Sequence, residues 1–235
     1  MAKTKSNQAE EQEEKFYENP EVLEGQIDQA EEFLTNNRNV LVGILVAIAV
    51  LVGGYFFYQN YQKQQNADAE RELFPAVFFF EKDSLNQALN GDGSTTIGLE
   101  AITRDYSGTK AANLAHFYAG AAQFELGEYD AAIEHLEAFS AEDYLLGARA
   151  YALIGDAYVQ KEAYADAVAA YQKAIDKYPN AQFTPVYLHK LALAQEKQGK
   201  LAEAQAAYER IVNEFRESDL LNLARKHAER LRVMQ

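Results

Sequence analysis

The sequence predicts an all-α protein, in which a single N-terminal transmembrane helix precedes a superhelical stack of helical hairpins. Three observations support this fold class. Residues 39–61 contain no charged side chain. Similar segments recur through the second half of the chain at a nearly constant interval. The 235 residues include only four prolines and no tryptophan, and alanine and glutamate are abundant, a composition that favours helix.

Charge and cysteine content exclude several classes of function. The formal net charge is −14. Residues 1–39 hold four basic and ten acidic side chains, a net of −6; residues 40–62 hold none, and residues 63–235 carry the remaining −8. Such a surface repels phosphate backbones, so no nucleic-acid partner is expected. The absence of cysteine excludes disulfides, thiolate metal ligands and cysteine nucleophiles.

The first domain is an acidic N-terminal tail, residues 1–39, with a short amphipathic helix. Its apolar side chains recur at helical spacing on one stripe. They are Leu23, Ile27, Ala30 and Leu34. The many carboxylates around this stripe favour a solvated helix, although docking on a membrane surface or a partner stays open.

The second domain is a transmembrane helix, residues 40–58. Nineteen residues at about 1.5 Å each span about 28 Å, close to the hydrocarbon thickness of a bilayer. A cleaved signal peptide would have a shorter apolar part after a short basic head, and here the head is long and acidic. Small residues on one face would let another transmembrane helix approach closely. They are Gly43, Ala47, Val50 and Gly54.

Residues 59–107 are predicted to form a helical stalk and a degenerate first hairpin. The segment 99–113 reads as the second helix of a hairpin, with its partner around residues 72–90. Phe78, Phe79 and Phe80 cover about 200° of a helix surface, so one stripe cannot hide all three. The helix is either sandwiched between neighbours or offers a patch to a partner. The loop that follows lacks the lysine of a phosphate loop and the spaced carboxylates of a calcium loop, so it is interpreted as a connector.

Residues 108–216 contain three similar units. LGEYDAAIEHL (126–136), KEAYADAVAAY (161–171) and QGKLAEAQAAY (198–208) align without gaps. Their central alanines, Ala132, Ala167 and Ala204, are separated by 35 and 37 residues, and Gly120, Gly155 and Ala192 keep the same intervals. Two landmarks in one register indicate helical hairpins that stack on one another, since one hairpin alone cannot bury its apolar face. Residues 217–235 are predicted to cap the stack.

These positions resemble the signature of the tetratricopeptide-repeat family. The middle unit, residues 148–181, matches best, with Tyr151, Ile154, Gly155, Tyr158, Ala167, Tyr171, Ala174 and Pro179. The outer units are degenerate, with Gln123 at a usual aromatic position and Arg216 where proline is expected.

The resemblance implies that the first helix of each unit lines a concave protein-binding groove. The implied lining residues are Leu114, Phe117, Phe124, Arg149, Asp156, Val159, Val186, His189, Leu193 and Glu196. Some members of the family bind a C-terminal carboxylate through lysine and asparagine, and those residues are missing here. A mixed apolar and polar groove suits extended polypeptides. The alternative is that these side chains only pack against one another.

No catalytic constellation is recognisable. The four histidines are scattered over different predicted helices, and no HExxH, GxSxG or GKT/GKS motif occurs. The sequence therefore predicts a non-enzymatic protein without catalytic residues, cofactor or metal.

The architecture of tail, span and short repeat domain resembles the membrane-anchored ancillary subunits of the Sec translocon, the YfgM family. This resemblance implies a single-pass protein of the bacterial inner membrane with a periplasmic C-terminal domain. It also implies a chaperone-like role at protein export, with translocon subunits, periplasmic folding factors and exported polypeptides as partners. Two alternatives stay open: a structural scaffold in an envelope or secretion assembly, and a cytosol-facing adaptor. Arg38 on one flank and Lys63 and Arg71 on the other give no clear orientation.

Overall fold

A computed structural model describes residue 27, residues 31–141 and residues 144–235. The chain divides into two compact units, Met1–Tyr61 and Gln62–Gln235. Within the described ranges the regular structure is helical, and the single β feature is an isolated bridge between Gly91 and Ile97. The predicted all-α fold class is therefore confirmed.

Residues 31–36 are helical. The helices that follow are α1 (Arg38–Glu81), α2 (Leu85–Asn90), α3 (Leu99–Asp105), α4 (Lys110–Glu125), α5 (Tyr129–Ala138), α6 (Tyr144–Gln160), α7 (Tyr164–Lys177), α8 (Thr184–Lys197), α9 (Leu201–Glu214) and α10 (Leu221–Met234).

In the first unit, the uncharged segment forms the beginning of α1. Among the described residues, α1 is the helix that is long and apolar enough to cross a membrane, and none of its most apolar window is buried within the protein. A methyl group added at Gly43 or Gly54 would meet no atom within 4 Å. The face with Gly43, Ala47, Val50 and Gly54 is thus open, and a second helix packed on it stays a prediction.

The predicted amphipathic stripe of the tail can be located only in part. Ile27 and Leu34 lie in helical residues and are exposed. Leu23 and Ala30 lie outside the described residues, as does the acidic segment before residue 27.

α1 continues well beyond the predicted end of the span at Tyr58 and reaches Glu81 with Pro75 inside it. A proline in a helix removes one backbone hydrogen bond, so packing must hold this part of the helix together. Ala69, Leu73 and Ala76 supply that packing, because all three are buried against the helices that follow. The predicted stalk and the first helix of the degenerate hairpin are therefore one continuous helix.

The phenylalanine run at the end of α1 is divided between core and solvent. Phe79 and Phe80 pack against the buried cluster formed with α3 and α4, and the Phe80 ring meets Tyr118 edge to face at 5.4 Å between centroids. Phe78 is 49% exposed and Phe74 is 76% exposed. As the helical angle requires, one stripe does not hide all three consecutive rings.

Asp92 organises the loop between α2 and α3. Its Oδ1 accepts hydrogen bonds from the backbone N–H groups of Ser94, Thr95 and Thr96, and Thr95 Oγ1 donates to its Oδ2. These hydrogen bonds, led by the one from Thr96, hold the pKa of the carboxyl well below its usual range. The side chain that could have served a ligand is thus used to close the loop.

Three hairpins follow, α4–α5, α6–α7 and α8–α9, and α10 packs on the last of them. Consecutive hairpins also pack on each other through α5 and α6 and through α7 and α8. Ala132, Ala167 and Ala204 are fully buried. The sequence landmarks mark places where two helices cross closely.

The landmark glycines are explained by those crossings. A Cβ at Gly120 would lie 2.6 Å from Leu136 Cγ, and one at Gly155 would lie 2.5 Å from Tyr171 Cε1. Both contacts are far closer than van der Waals distance, so only glycine fits unless the partner side chain moves.

The turn inside each hairpin has the same backbone conformation. Gly127, Glu162 and Gly199 occupy equivalent positions, and their φ angles are +81°, +56° and +75°. Glycine adopts this left-handed region freely, whereas a side chain makes it costly. The middle hairpin therefore contains a strained turn that its neighbours avoid.

Candidate protein-binding groove

The first helices of the three hairpins, α4, α6 and α8, form one surface, here called the first-helix face. Side chains connect the three helices across it. Lys190 on α8 contacts Asp156 on α6, and the Arg149 guanidinium on α6 lies over the Phe117 ring on α4. The resemblance implied that this face is the inner wall of a groove.

The residues expected to line the groove differ in how exposed their side chains are to a ligand. Phe117 is only 3% exposed, so its ring is a core side chain and a bound chain would reach little of it. Val186 and Leu193 on α8 are 37% and 42% exposed, and Arg149 is exposed as well.

The other residues expected to line the groove are partly buried. Leu114 and Phe124 pack against buried clusters around α4, and the Phe124 ring lies 5.8 Å from that of Tyr129. Val159 packs against the cluster between the second and third hairpins. These side chains fill space between helices, and only their edges face outward.

Asp156 is fully engaged within the protein. Tyr171 Oη donates a 2.6 Å hydrogen bond to its Oδ1, and Lys190 Nζ donates one of 2.6 Å to its Oδ2. Burial, and then the charge of Asp156, raise the pKa of the Tyr171 hydroxyl, which stays a proton donor. Asp156 therefore joins the second hairpin to the third.

Glu196 forms a similar ion pair one hairpin later. Arg230 Nη2 on α10 donates a 2.6 Å hydrogen bond to Glu196 Oε2. Burial, followed by the negative charge of Glu196, raises the pKa of Tyr208, which is the counterpart of Tyr171 on α9. Each acid is paired with a base 34 residues later, from the next unit of the stack.

The sequence interpretation missed these links between neighbouring hairpins. Arg230 lies on α10, and its guanidinium turns toward Glu196 on α8. The signal that could have found both pairs is the spacing of acid and base by one repeat length.

The four histidines lie on four different helices, as expected, but the fold brings them together in two pairs. His116 Nδ1 on α4 lies 3.0 Å from His135 Nδ1 on α5. His189 on α8 and His227 on α10 have ring centroids 6.1 Å apart, and both rings contact Tyr208. The fold brings distant histidines together because α4 packs on α5, and because α8 and α10 both pack on α9.

Burial controls the charge of these rings. It lowers the pKa of His116, and the neighbouring His135 lowers it further, although Glu100 opposes the change. Burial also lowers the pKa of His189. The charges of His227 and Lys190 lower this pKa further, and the charge of Glu196 raises it. Both rings are therefore neutral at pH 7.

The third hairpin also contains buried polar atoms that have no hydrogen-bond partner among the described residues. They are His189 Nδ1, Gln195 Oε1, Glu196 Oε1 and Tyr208 Oη. The side chains of His189, Glu196 and Tyr208 face His227 or Arg230 on α10, so this contact is a polar one.

Within the described part of the chain, no group of three or more histidine or acidic side chains is arranged to hold a metal ion. The first-helix face combines exposed aliphatic side chains, two internal ion pairs and the exposed guanidinium of Arg149.

Comparison with protein-family models gives three matches to repeat families. Residues 31–144 match a tetratricopeptide repeat-like domain. Residues 119–182 and residues 187–218 each match a tetratricopeptide repeat. No curated protein matches the chain. The matched segments include the first two hairpins and all of the third except residues 184–186. They support assignment to the tetratricopeptide-repeat family, whose domains bind other proteins and are generally not enzymes.

Proposed function

Starting from the tetratricopeptide-repeat family, which three family models support, we propose that this chain is a membrane-anchored protein that binds other polypeptides. Its role is that of a chaperone-like ancillary factor at the protein-export translocon. The observation that carries the proposal is the combination of a candidate membrane span in α1 with a stack of hairpins in which α8 exposes Val186 and Leu193.

The proposed mechanism is tethering. A span confines the first-helix face to the membrane surface, so exported polypeptides meet it at a high effective concentration without a tight intrinsic affinity. Exposed aliphatic side chains are suited to extended or non-native segments, which present apolar groups before they fold. Translocon subunits and periplasmic folding factors are the partners proposed to keep it near the export site.

The orientation proposed for the bacterial inner membrane places residues 62–235 in the periplasm. Fusing alkaline phosphatase, and separately a cytoplasm-dependent fluorescent protein, to the C-terminus tests this. We expect phosphatase activity without fluorescence. The opposite result would support the cytosol-facing adaptor.

A pull-down of the full chain in mild detergent, followed by mass spectrometry, tests the partners. We expect translocon subunits together with many different exported polypeptides. A chain carrying Val186→Ser and Leu193→Ser should retain the translocon subunits and lose exported polypeptides. One discrete partner in fixed stoichiometry, unaffected by these substitutions, would instead indicate a structural scaffold and overturn the proposal.

A further inference from the structure

Arg149 stands apart from the other charged side chains of the first-helix face. Its guanidinium is exposed, and its Cζ lies 5.9 Å from the centroid of the Phe117 ring. Burial raises the pKa of Tyr187 on α8, and the charge of Arg149 opposes that rise, so this charge also acts on the neighbouring hairpin. Arg149 on α6 therefore interacts with both neighbouring first helices, through the Phe117 ring on α4 and through the charge felt by Tyr187 on α8.

No carboxylate of the described residues lies within 4.0 Å of the Arg149 guanidinium. In contrast, Asp156 is neutralised by Lys190 and Glu196 by Arg230. The neutral His116 and His189 rings add no charge. Arg149 thus leaves the central part of the face with one uncompensated positive charge.

That charge is unusual for this molecule. The chain has 36 acidic and 22 basic residues, so carboxylates outnumber the cations that could pair with them. A guanidinium stacked on an aromatic ring is held in place while its edge stays free for the two oxygens of a carboxylate. A ligand that covers this contact lowers the local dielectric constant, which strengthens the attraction between the two charges, while the loss of water from both charges opposes part of that gain.

Aliphatic side chains on the first-helix face accompany this charge. Val186 and Leu193 on α8 are partly exposed, and Leu114 on α4 is half-buried. A ligand that covers Arg149 and extends along the face would therefore meet apolar side chains as well as the charge.

We infer that the first-helix face selects extended, apolar polypeptide segments that carry an aspartate or glutamate side chain opposite Arg149. This inference rests on the proposed function and specifies its ligand. The acidic side chain sets the register of the bound segment, and the aliphatic side chains supply most of the contact area.

The test uses the full chain in nanodiscs and fluorescein-labelled twelve-residue peptides with blocked ends. The peptides contain leucine, valine and serine and differ only at one central residue, which is aspartate, asparagine or lysine. Fluorescence anisotropy measures the dissociation constants. We expect the aspartate peptide to bind about tenfold more tightly than the asparagine peptide, as one charge-assisted contact would provide.

Variants of Arg149 locate the effect. Arg149→Ala should bind the aspartate and asparagine peptides equally, and Arg149→Glu should prefer the lysine peptide. Arg149→Lys keeps the positive charge but cannot donate two parallel hydrogen bonds to one carboxylate. It should retain part of the preference for the aspartate peptide. Arg225→Ala, which removes an exposed cation of α10, is the matched control and should bind as the unmodified chain does. Circular dichroism confirms that each variant is folded.

The outcomes separate the inference from the function on which it rests. If the aspartate and asparagine peptides bind equally well to the unmodified chain, or if Arg149→Ala keeps the preference, the inference is wrong and the polypeptide-binding function stands. If none of the peptides binds, both are overturned.

Discussion

At the scale of single residues, the first-helix face is held together by ion pairs that repeat with the hairpins. Asp156 receives hydrogen bonds from Tyr171 and Lys190, and Glu196 receives one from Arg230. Because each pair joins one unit to the next, these carboxylates stabilise the stack, whereas Arg149 has no ion-pair partner among the described residues. Sequence alone could not separate the paired charges from the unpaired one, since both kinds of residue occupy the same side of a helix.

Replacing Asp156 by alanine is expected to lower the free energy of unfolding by about 1–3 kcal/mol, because the buried Tyr171 hydroxyl would lose its acceptor. Urea-induced unfolding of the detergent-solubilised chain measures the loss. The matched control is Asp130→Ala, which removes the carboxylate paired with Lys161 on the surface. Its effect should stay within about 0.5 kcal/mol. Equal effects of the two substitutions would show that Asp156 has no special role.

The paired histidines predict a pH dependence of stability. The pKa values of His116 and His189 are lower in the folded chain than in the unfolded chain. The unfolded chain therefore binds more protons as the pH falls below about 6.5, and stability that is present above this pH is lost.

For His189, the facing groups are Lys190 and Glu196 on α8, Tyr208 on α9 and His227 and Arg230 on α10. We expect the urea midpoint to fall between pH 7.5 and pH 5.5, and we expect the fall to be smaller in His189→Gln. A midpoint that rises on acidification would contradict the assignment of neutral rings.

At the scale of helices and turns, the repeat landmarks were predictable because packing dictates them. Gly155 must be small where Tyr171 crosses it, and Ala167 is fully buried for the same reason. Such requirements recur at every hairpin and are visible in one sequence. The length of α1 was not predictable, since Pro75 suggests a break and only the packing of Ala69, Leu73 and Ala76 explains why the helix continues.

The strained turn of the middle hairpin gives a prediction at this scale. Glu162→Gly should raise the free energy of unfolding by about 0.5–1 kcal/mol, because glycine removes the cost of a left-handed conformation but adds flexibility to the unfolded chain. The converse substitution, Gly199→Ala, should lower it by about 1 kcal/mol. Thermal unfolding followed by circular dichroism compares the two. A destabilising Glu162→Gly would mean that the side chain makes contacts that outweigh the strain.

At the scale of the whole molecule, sequence and structure agree on a candidate membrane span and a stack of three helical hairpins with a final helix. The histidine pairs and the 34-residue ion pairs were not foreseen, because they depend on which helices pack together and not on local sequence. The family resemblance predicted which helices would line a groove. Only the structure distinguishes the buried Phe117 from the accessible Leu193 on those helices.

The central claim is that a membrane-tethered first-helix face binds polypeptides, and site-specific photocrosslinking in cells tests it most directly. The photoreactive residue replaces Leu193 on the face or, as a control, the exposed Glu203 on α9. Each is placed in the unmodified chain and in a chain whose span is disabled by Leu45→Lys and Leu51→Lys, since each lysine opposes insertion by about 3 kcal/mol.

The account predicts many crosslinked polypeptides from position 193 of the anchored chain, few from position 203, and at least a tenfold loss from position 193 when the span is disabled. Equal yields from positions 193 and 203, or an undiminished yield from the unanchored chain, would contradict it.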